Sequence, residues 1–337
     1  MVDVKHTKEE LKELQGYPLD MKIMLTKDRI RGFYNEFGGY VYVSRSGGKD
    51  SDVLGHIVKG MYPDVPHVFV DTGLEWTSVQ KHGREVADRV LYPQMNFRQT
   101  IERYGYPVIS KEVAQKVEDA RRKPDGKYAE RFHDCEHNRR YPQHSMERYA
   151  WLLDAPFKIS HKCCEVNKKR PAKAYEKETG RKALLATMAE ESQLRTTKWL
   201  KDGCNAFNAK RPVSAPLSFW TEQDILEYIR RYNIKIADVY GEIVSGDGQY
   251  EYYPMPGMPC PLMTSGCRRT GCVWCCFGIA HDAEKFLRLK KLEPKKYSYV
   301  MGGGQFIGSL WTPSKDGLGY RYVLDWLNEH GGMQIRY

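Results

Sequence analysis

The sequence predicts an α/β protein built on a parallel β-sheet with helices packed against it, and three observations carry that expectation. A short apolar run, Tyr40-Val41-Tyr42-Val43, is followed by Val53, Leu54, Ile57, Val58 and Met61 at helical spacing. The pattern repeats at once with His67-Val68-Phe69-Val70 and then Trp76, Val79, Val86 and Val90. A third strand signal, Ala183-Leu184-Leu185-Ala186-Thr187-Met188, returns later in the chain. Strand, helix, strand, helix at this spacing requires crossover connections, and those place the strands parallel.

Ahead of the first strand, Leu11 and Leu14, then Ile23, Met24 and Ile30, mark one or two amphipathic helices within residues 1–36. Gly38-Gly39 separates them from the strand, and Pro63 ends the first crossover helix. The second strand closes at Asp71-Thr72-Gly73. Residues 105–160 carry little periodicity, and RRKPDGK at 121–127 reads as a basic, turn-rich surface segment. Further on, Pro216-Leu217-Ser218-Phe219-Trp220 leads into Thr221, an N-cap with Asp224 three residues later. Ile225, Leu226, Ile229 and Tyr232 then form one helix face. From about residue 240 the chain turns to Gly, Pro, Tyr and Cys, then to a Lys-rich helix (282–293), Gly302-Gly303-Gly304, and a short helix near Val323–Leu327. Tyr250, Tyr252 and Tyr253 read as packing groups rather than as base-stacking ones.

The 337 residues are 41% hydrophobic and 28% charged, values of a folded chain, and not of a disordered or collagen-like one. No apolar run reaches membrane-spanning length, and the start MVDVKHTKEELKEL lacks a signal-peptide core, so a soluble, cytoplasmic protein is expected. The nine cysteines are clustered, with Cys163 beside Cys164 and with Cys260, Cys267, Cys272, Cys275 and Cys276 close together. Clustered thiols in a non-exported chain read as metal ligands or redox groups, whereas the isolated Cys135 and Cys204 fit small buried side chains. The net charge is +10, and residues 121–173 hold much of the surplus. A polyanion suits such a zone, and a solvated surface explains it equally well. His133, Cys135 and His137 would share one face if that segment were helical, although an ordinary basic surface is the simpler reading.

Between the first strand and its helix stands Ser44-Arg45-Ser46-Gly47-Gly48-Lys49-Asp50-Ser51. Gly47 and Gly48 free the backbone to turn its N–H groups toward one anion. The helix N-terminus adds positive field, Lys49 a point charge, and Ser44, Ser46 and Ser51 hydroxyl donors. The spacing of a Walker A loop is absent.

Ser46-Gly47-Gly48-Lys49-Asp50-Ser51 resembles the pyrophosphate-binding motif of the adenine nucleotide α-hydrolases, which include PAPS reductases and N-type ATP pyrophosphatases. Phe69-Val70-Asp71-Thr72-Gly73 is similar to that superfamily's second-strand motif, and Glu191-Ser192-x-x-Arg195 to its arginine motif. Pro216-Leu217 through Asp224-Ile225 resembles the segment preceding its C-terminal cysteines. The resemblance implies a Rossmann-like sheet with an adenine nucleotide, ATP or (P)APS, at the carboxyl ends of the strands. It implies nucleotide contacts from Ser44, Ser46, Gly47, Gly48, Lys49, Asp50, Ser51, Asp71, Thr72 and Gly73. Lys49 and Arg195 would bear on phosphate oxygens, and Asp50 or Asp71 on Mg²⁺. Against these stand plainer roles, Asp50 favouring a helix N-terminus and Arg195 making a structural ion pair.

Cys163-Cys164 with Cys272-x-x-Cys275 resembles the [4Fe–4S] ligand set of assimilatory APS reductases. Lys162, Lys168, Lys169, Arg268 and Arg269 would offset the cluster's negative charge. Zinc on Cys260, Cys267, Cys272 and Cys275, a cluster in which Cys267 replaces Cys163 or Cys164, and a metal-free Cys272/Cys275 dithiol are the alternatives. Sulfonucleotide reductases use a nucleophilic cysteine in a Glu-Cys-Gly-x-His context, and Cys260, Cys267 and Cys276 all lack that setting. The reading that follows is ATP pyrophosphatase (adenylation) chemistry coupled to sulfur transfer. A nucleic-acid acceptor at 121–173 and a thiol or sulfur-donor protein are its possible partners. Sulfite-releasing PAPS or APS reduction and a non-catalytic nucleic-acid-binding protein are the alternatives. The expected layout is a helical segment at 1–36, a nucleotide-binding α/β domain at 37–240 and a Cys-rich region at 241–337.

Overall fold

The computed structural model describes residues 5–246, 261–279 and 282–337, so Cys260, Tyr250, Tyr252 and Tyr253 lie outside the described residues. The chain divides into two compact units that interleave along the sequence instead of following the linear layout above. The first comprises residues 1–71, 77–92 and 172–270, and the second residues 72–76, 93–171 and 271–337. The reason lies in the second unit, where segments far apart in sequence, Val108–Ile109 and Cys276–Phe277, pair directly as strands.

The first unit holds the sheet. Its strands are β1 (Val41–Arg45), β2 (His67–Val70) and β3 (Arg89–Leu91). After β4 (Val108–Ile109), which belongs to the second unit, come β5 (Lys182–Leu185), β6 (Asn205–Ala206) and β7 (Val213–Ser214). The strand order is β3-β2-β1-β5-β7-β6, parallel except for the last pair. This is the α/β architecture with flanking helices that the alternating pattern predicts. Val90, which the helical spacing assigns to a helix, lies instead in β3, because the helix Thr77–Glu85 ends before it.

Period-two alternation divides the strand side chains between two faces. Val41, Val43 and Leu184 join one core with Ile30 and Phe33 of the helix Leu19–Glu36 and Val53, Leu54, Ile57 and Val58 of the helix Lys49–Met61. Tyr42, Val68 and Ala183 pack on the other face with Tyr175. The register Tyr42↔Ala183 and Val43↔Leu184 keeps these sets separate, and a one-residue slip would exchange them. The helix Glu222–Tyr232 is closed at its start by a reciprocal cap between Thr221 and Asp224, as the sequence predicts. Asp224 also receives the buried Lys22 ammonium at 2.6 Å.

Beneath the β1 carboxyl end lies a buried polar group. Arg45 pairs with Asp52, His82 Nε2 stands 3.0 Å from the other Asp52 oxygen, and the Arg45 guanidinium occupies the space a side chain at Gly55 would need. His67 is buried nearby, and burial together with the Arg45 charge lowers its pKa to about 4. Its ordinary value is near 6.5, so between those values the unfolded chain binds a proton that the folded chain refuses. Stability is therefore expected to fall as pH drops from about 6.5 toward 4. His67→Gln should flatten that part of the profile relative to the parent. Urea midpoints measured at pH 7, 5.5 and 4 check this, and parallel profiles for the two proteins reject it.

In the second unit, Tyr106, Val117, Leu152, Phe157, Phe286, Val300, Tyr320, Val323 and Leu327 are essentially fully buried. The less periodic stretch gains order from Arg121, whose guanidinium donates to the carbonyls of Leu152, Leu153, Ala155 and Phe157. Four such bonds stitch the helix Lys111–Arg122 to the end of the 3-10 helix Glu147–Asp154 and the residues after it, a role that a count of basic residues does not reveal. No helix among the described residues is long and apolar enough to cross a membrane.

Candidate functional site

The sheet order places a switch point beside β1, since β2 and β3 extend to one side and β5 and β7 to the other. Crevices at the carboxyl ends of strands at such points receive ligands in open α/β sheets. The segment after β1 is Ser46-Gly47-Gly48, leading into the helix Lys49–Met61. Gly47 has φ +70°, and a Cβ there would sit 2.6 Å from the Val79 carbonyl oxygen, so both conformation and space demand glycine. Gly48 is the N-cap. The loop is braced internally: Gly48 N–H donates to Ser46 Oγ, Ser46 N–H to Ser51 Oγ, and Ser51 Oγ to the Gly48 carbonyl at 2.8 Å. Ser44 lies on β1, paired through its backbone with Val68 and Leu185.

Charged side chains gather around this loop. Lys49 is 4% exposed, and its Nζ lies 3.4 Å from Asp50 Oδ1, 3.5 Å from Glu222 Oε1 and 3.4 Å from the Arg268 carbonyl. Burial pushes the Asp50 carboxyl up, with Lys49 opposing. Burial lowers the Arg195 guanidinium, Asp50 favours its charge and Arg269 opposes it. Arg195 also pairs with Glu191, and Arg268 Nη2 stands 3.4 Å from Glu222 Oε2. Glu222 N–H donates to Glu190 at 2.6 Å. Burial raises the Glu190 pKa, Glu222 N–H bonding opposes the rise, the Glu222 charge adds to it, and Arg269 opposes it. Four cations, Lys49, Arg195, Arg268 and Arg269, thus gather around the loop, interleaved with Asp50, Glu190 and Glu222. That arrangement suits a highly charged, phosphate-bearing ligand that brings a cation of its own.

Lys49 and Arg195, the two residues the resemblance assigns to phosphate oxygens, both bear on Asp50. Tyr240 and Thr270 are additions: Lys49 N–H points to Tyr240 Oη, which lies 2.5 Å from Thr270 Oγ1. Arg268 and Arg269, which the sequence sets beside the cysteines, are charged neighbours of Glu222, Glu190 and Asp50. Asp71 closes β2 with both oxygens engaged, one by Gln80 at 2.6 Å and the other by Arg84. Thr72 and Gly73 fall in the second unit, where Thr72 Oγ1 donates to Glu75.

The second unit also collects the cysteines. After burial, the charges of Cys272, Cys164 and Cys275 are the next causes raising the Cys163 pKa, so the four sulfurs form one neighbourhood. Burial pushes the Cys275 thiol up to about 11, with Lys285 opposing. Lys285 Nζ donates to the carbonyls of Cys272 and Cys275 at 2.8 and 2.7 Å. Phe277 N–H reaches Cys275 Sγ at 3.4 Å, and Asn167 Nδ2 reaches Cys163 Sγ at 3.8 Å. Burial would lower the Lys168 pKa, but the Cys272 and Glu75 charges prevail and raise it. Cys163-Cys164 leads directly into a π-helical turn, Glu165–Lys169, a feature that recurs at functional sites. Cys267 lies in the first unit, its N–H bonded to the Val239 carbonyl, and Cys276 is a buried strand residue.

Among the described residues, no group of three or more His, Cys, Asp or Glu side chains is gathered tightly enough to hold a single metal ion. His133 lies outside the helix Glu136–Arg140, so His133, Cys135 and His137 do not share a helix face. His137 instead meets His144, with ring nitrogens 3.3 Å apart. The basic stretch is also less free than its composition suggests. Arg122 pairs with Asp119, Arg139 with Asp134, Lys162 with Glu118, Lys168 with Glu75 and Lys169 with Glu165.

No curated protein sequence matches this chain. Among solved structures, phosphoadenylyl-sulfate (PAPS) reductase from Candida auris, in a phosphate complex, is similar at 14% identity and TM-score 0.37. That match covers 70% of this chain and 91% of the other. The family model for the phosphoadenosine phosphosulfate reductase domain matches residues 40–277. That span takes in the phosphate loop, all four clustered cysteines and well over half of the sequence, and the chain belongs to the phosphoadenosine phosphosulfate reductase domain family.

Proposed function

We propose that this protein is an iron–sulfur enzyme that binds ATP or a related adenine nucleotide on the Ser46–Ser51 loop and couples adenylation to sulfur transfer. The observation that carries this reading is Asp50. Among the described residues its Oδ1 is buried with no hydrogen-bond donor, and Lys49 Nζ stands 3.4 Å from it at the first turn of the helix that follows the loop. Mg²⁺ is held by one or two carboxylates together with substrate phosphates. Asp50 fits that role, whereas both Asp71 oxygens are engaged by Gln80 and Arg84. Lys49, Arg195 and Arg269 would hold the phosphate oxygens, leaving a substrate oxygen to attack the α-phosphate as pyrophosphate departs. Positioning and charge neutralisation supply most of the rate in such a displacement.

Cys163, Cys164, Cys272 and Cys275 are the residues that would hold a [4Fe–4S] cluster. Four thiols in one neighbourhood, Cys163 buried and the others half-buried, with Lys168, Lys285, Asn167 and the Phe277 N–H directed at them or their carbonyls, match what a negatively charged thiolate cluster requires. Each thiolate of a cubane binds a different iron, so the sulfurs stand farther apart than four ligands of one ion. When bound, the cluster supplies electrons or a site for sulfur.

Family membership favours a second reading, reduction of a sulfonucleotide with release of sulfite. Anaerobically purified protein should release pyrophosphate from ATP in a Mg²⁺-dependent manner, with no sulfite from PAPS in the presence of a dithiol reductant. Sulfite without ATP turnover would establish the second reading in its place.

A further inference from the structure

We propose that Glu222 is a specificity-determining residue, one that makes the phosphate loop select a phosphate chain carrying its own divalent cation over a metal-free anion such as a phosphosulfate. The inference rests on the nucleotide-binding reading above and deepens it, since it names the class of substrate the loop takes.

Glu222 follows the cap residue Thr221 and opens the helix Glu222–Tyr232. An acid in a first helical turn is ordinary, because the helix dipole favours it there. This carboxylate does more, for its two oxygens engage two of the cations around the loop. Oε1 lies 3.5 Å from Lys49 Nζ, and Oε2 lies 3.4 Å from Arg268 Nη2. The Lys49 side chain is 5% exposed and that of Glu222 22%, so water screens their attraction only in part. Arg268 is more open, and its pairing is the weaker one. The Glu222 N–H also donates to Glu190 Oε1 at 2.6 Å, which sets a second carboxylate beside the first.

An anionic ligand must therefore compete with Glu222. A phosphate chain arriving alone has to draw Lys49 and Arg268 away from this carboxylate, and it then lies beside acids that repel it. The penalty follows charge, so it falls on a phosphosulfate and on bare pyrophosphate alike. A chain that arrives with Mg²⁺ brings positive charge that offsets the carboxylates, and the penalty shrinks. Discrimination of this kind comes from a repulsive group placed against the wrong ligand. Cation and anion binding at the loop are then coupled, and Glu222 supplies part of the coupling.

Calorimetry of the full chain with inorganic pyrophosphate, in Mg²⁺ or in EDTA, reads this without turnover. The parent should bind pyrophosphate more tightly in Mg²⁺. Glutamine keeps the shape of glutamate and removes the competing charge. In Glu222→Gln, binding without Mg²⁺ should tighten about tenfold, while binding with Mg²⁺ should change by less than about threefold. Glu222→Asp keeps the charge on a shorter stem and should stay nearer the parent than Glu222→Gln does. A purely structural role reverses that order, since glutamine is the closer in shape, and that result counts against the assignment. Glu227→Gln removes an equal charge from the same helix, where half-exposed Glu227 pairs with Arg231, and should leave both affinities unchanged. A folded Glu222→Gln protein with the parent's Mg²⁺ dependence overturns the assignment and leaves nucleotide binding standing. A parent that binds bare pyrophosphate at least as tightly as the Mg²⁺ complex overturns it without any variant. A parent that binds neither pyrophosphate nor ATP overturns the nucleotide reading and this inference with it.

Discussion

Lys49→Met should lower kcat/KM for nucleotide-dependent pyrophosphate release by about 10²–10³-fold, the size of effect seen when one preorganised donor to a developing anion is removed. The residue is buried at the start of the loop's helix, where its ammonium already lies between Asp50 and Glu222. A bound phosphate would compete for that ammonium and draw it from two carboxylates toward a more highly charged partner. Methionine keeps the length and loses the charge, so the change tests electrostatics more than packing. Stability should drop as well, because Asp50 and Glu222 lose a counter-ion. Breaking a fully buried pair costs roughly 3–5 kcal/mol. The cost here should fall below that range, since both carboxylates are partly exposed and Glu222 keeps Arg268. Lys49→Arg should recover little activity. The guanidinium fork needs more room than a point charge, and the Arg268 carbonyl and Tyr240 ring already enclose the site. Steady-state kinetics with a melting curve for each variant separate the two effects. Turnover within threefold of the parent would mean that Lys49 does not touch the reacting phosphates.

The parts of this site that were legible in the sequence are those whose chemistry is local. Gly47 announces its own backbone requirement, β1 and β2 show as short apolar runs, and the Thr221–Asp224 cap reads off four residues. What the sequence does not reveal is convergence. Arg268 and Arg269 sit near cysteines in sequence, yet they join Lys49 and Arg195 in space because Glu222 and Glu190 draw them there. Asp71 reads as a metal ligand by motif, but Arg84, thirteen positions later on the adjoining helix, has already engaged it. The basic excess of residues 121–173 looks like a polyanion surface until Arg121 is seen bonding four carbonyls and its neighbours pairing with acids. Long side chains find partners across turns of chain that periodicity does not describe.

Cys272→Ser and Cys275→Ser should each abolish iron retention, while Cys276→Ala should retain iron in full. The contrast follows from what each sulfur touches. Cys272 and Cys275 share an electrostatic neighbourhood with Cys163 and Cys164, and Lys285 grips both of their carbonyls, which fixes the backbone that carries them. Cys276 is the next residue, but it is fully buried in a strand paired to Val108. Serine is nearly isosteric with cysteine yet does not ionise near neutrality, so it cannot supply the thiolate that iron requires. Because cluster binding contributes directly to folding free energy, the two serine variants should also lose much of their protection against proteolysis in the second unit. Cys276→Ala should cost only about 1 kcal/mol, the loss expected for one small buried group. Iron and sulfide analysis with limited proteolysis reads both outcomes. Iron retained in Cys275→Ser and lost in Cys276→Ala would move that ligand by one residue and make Cys276, at present a strand-packing thiol, the group that holds the metal.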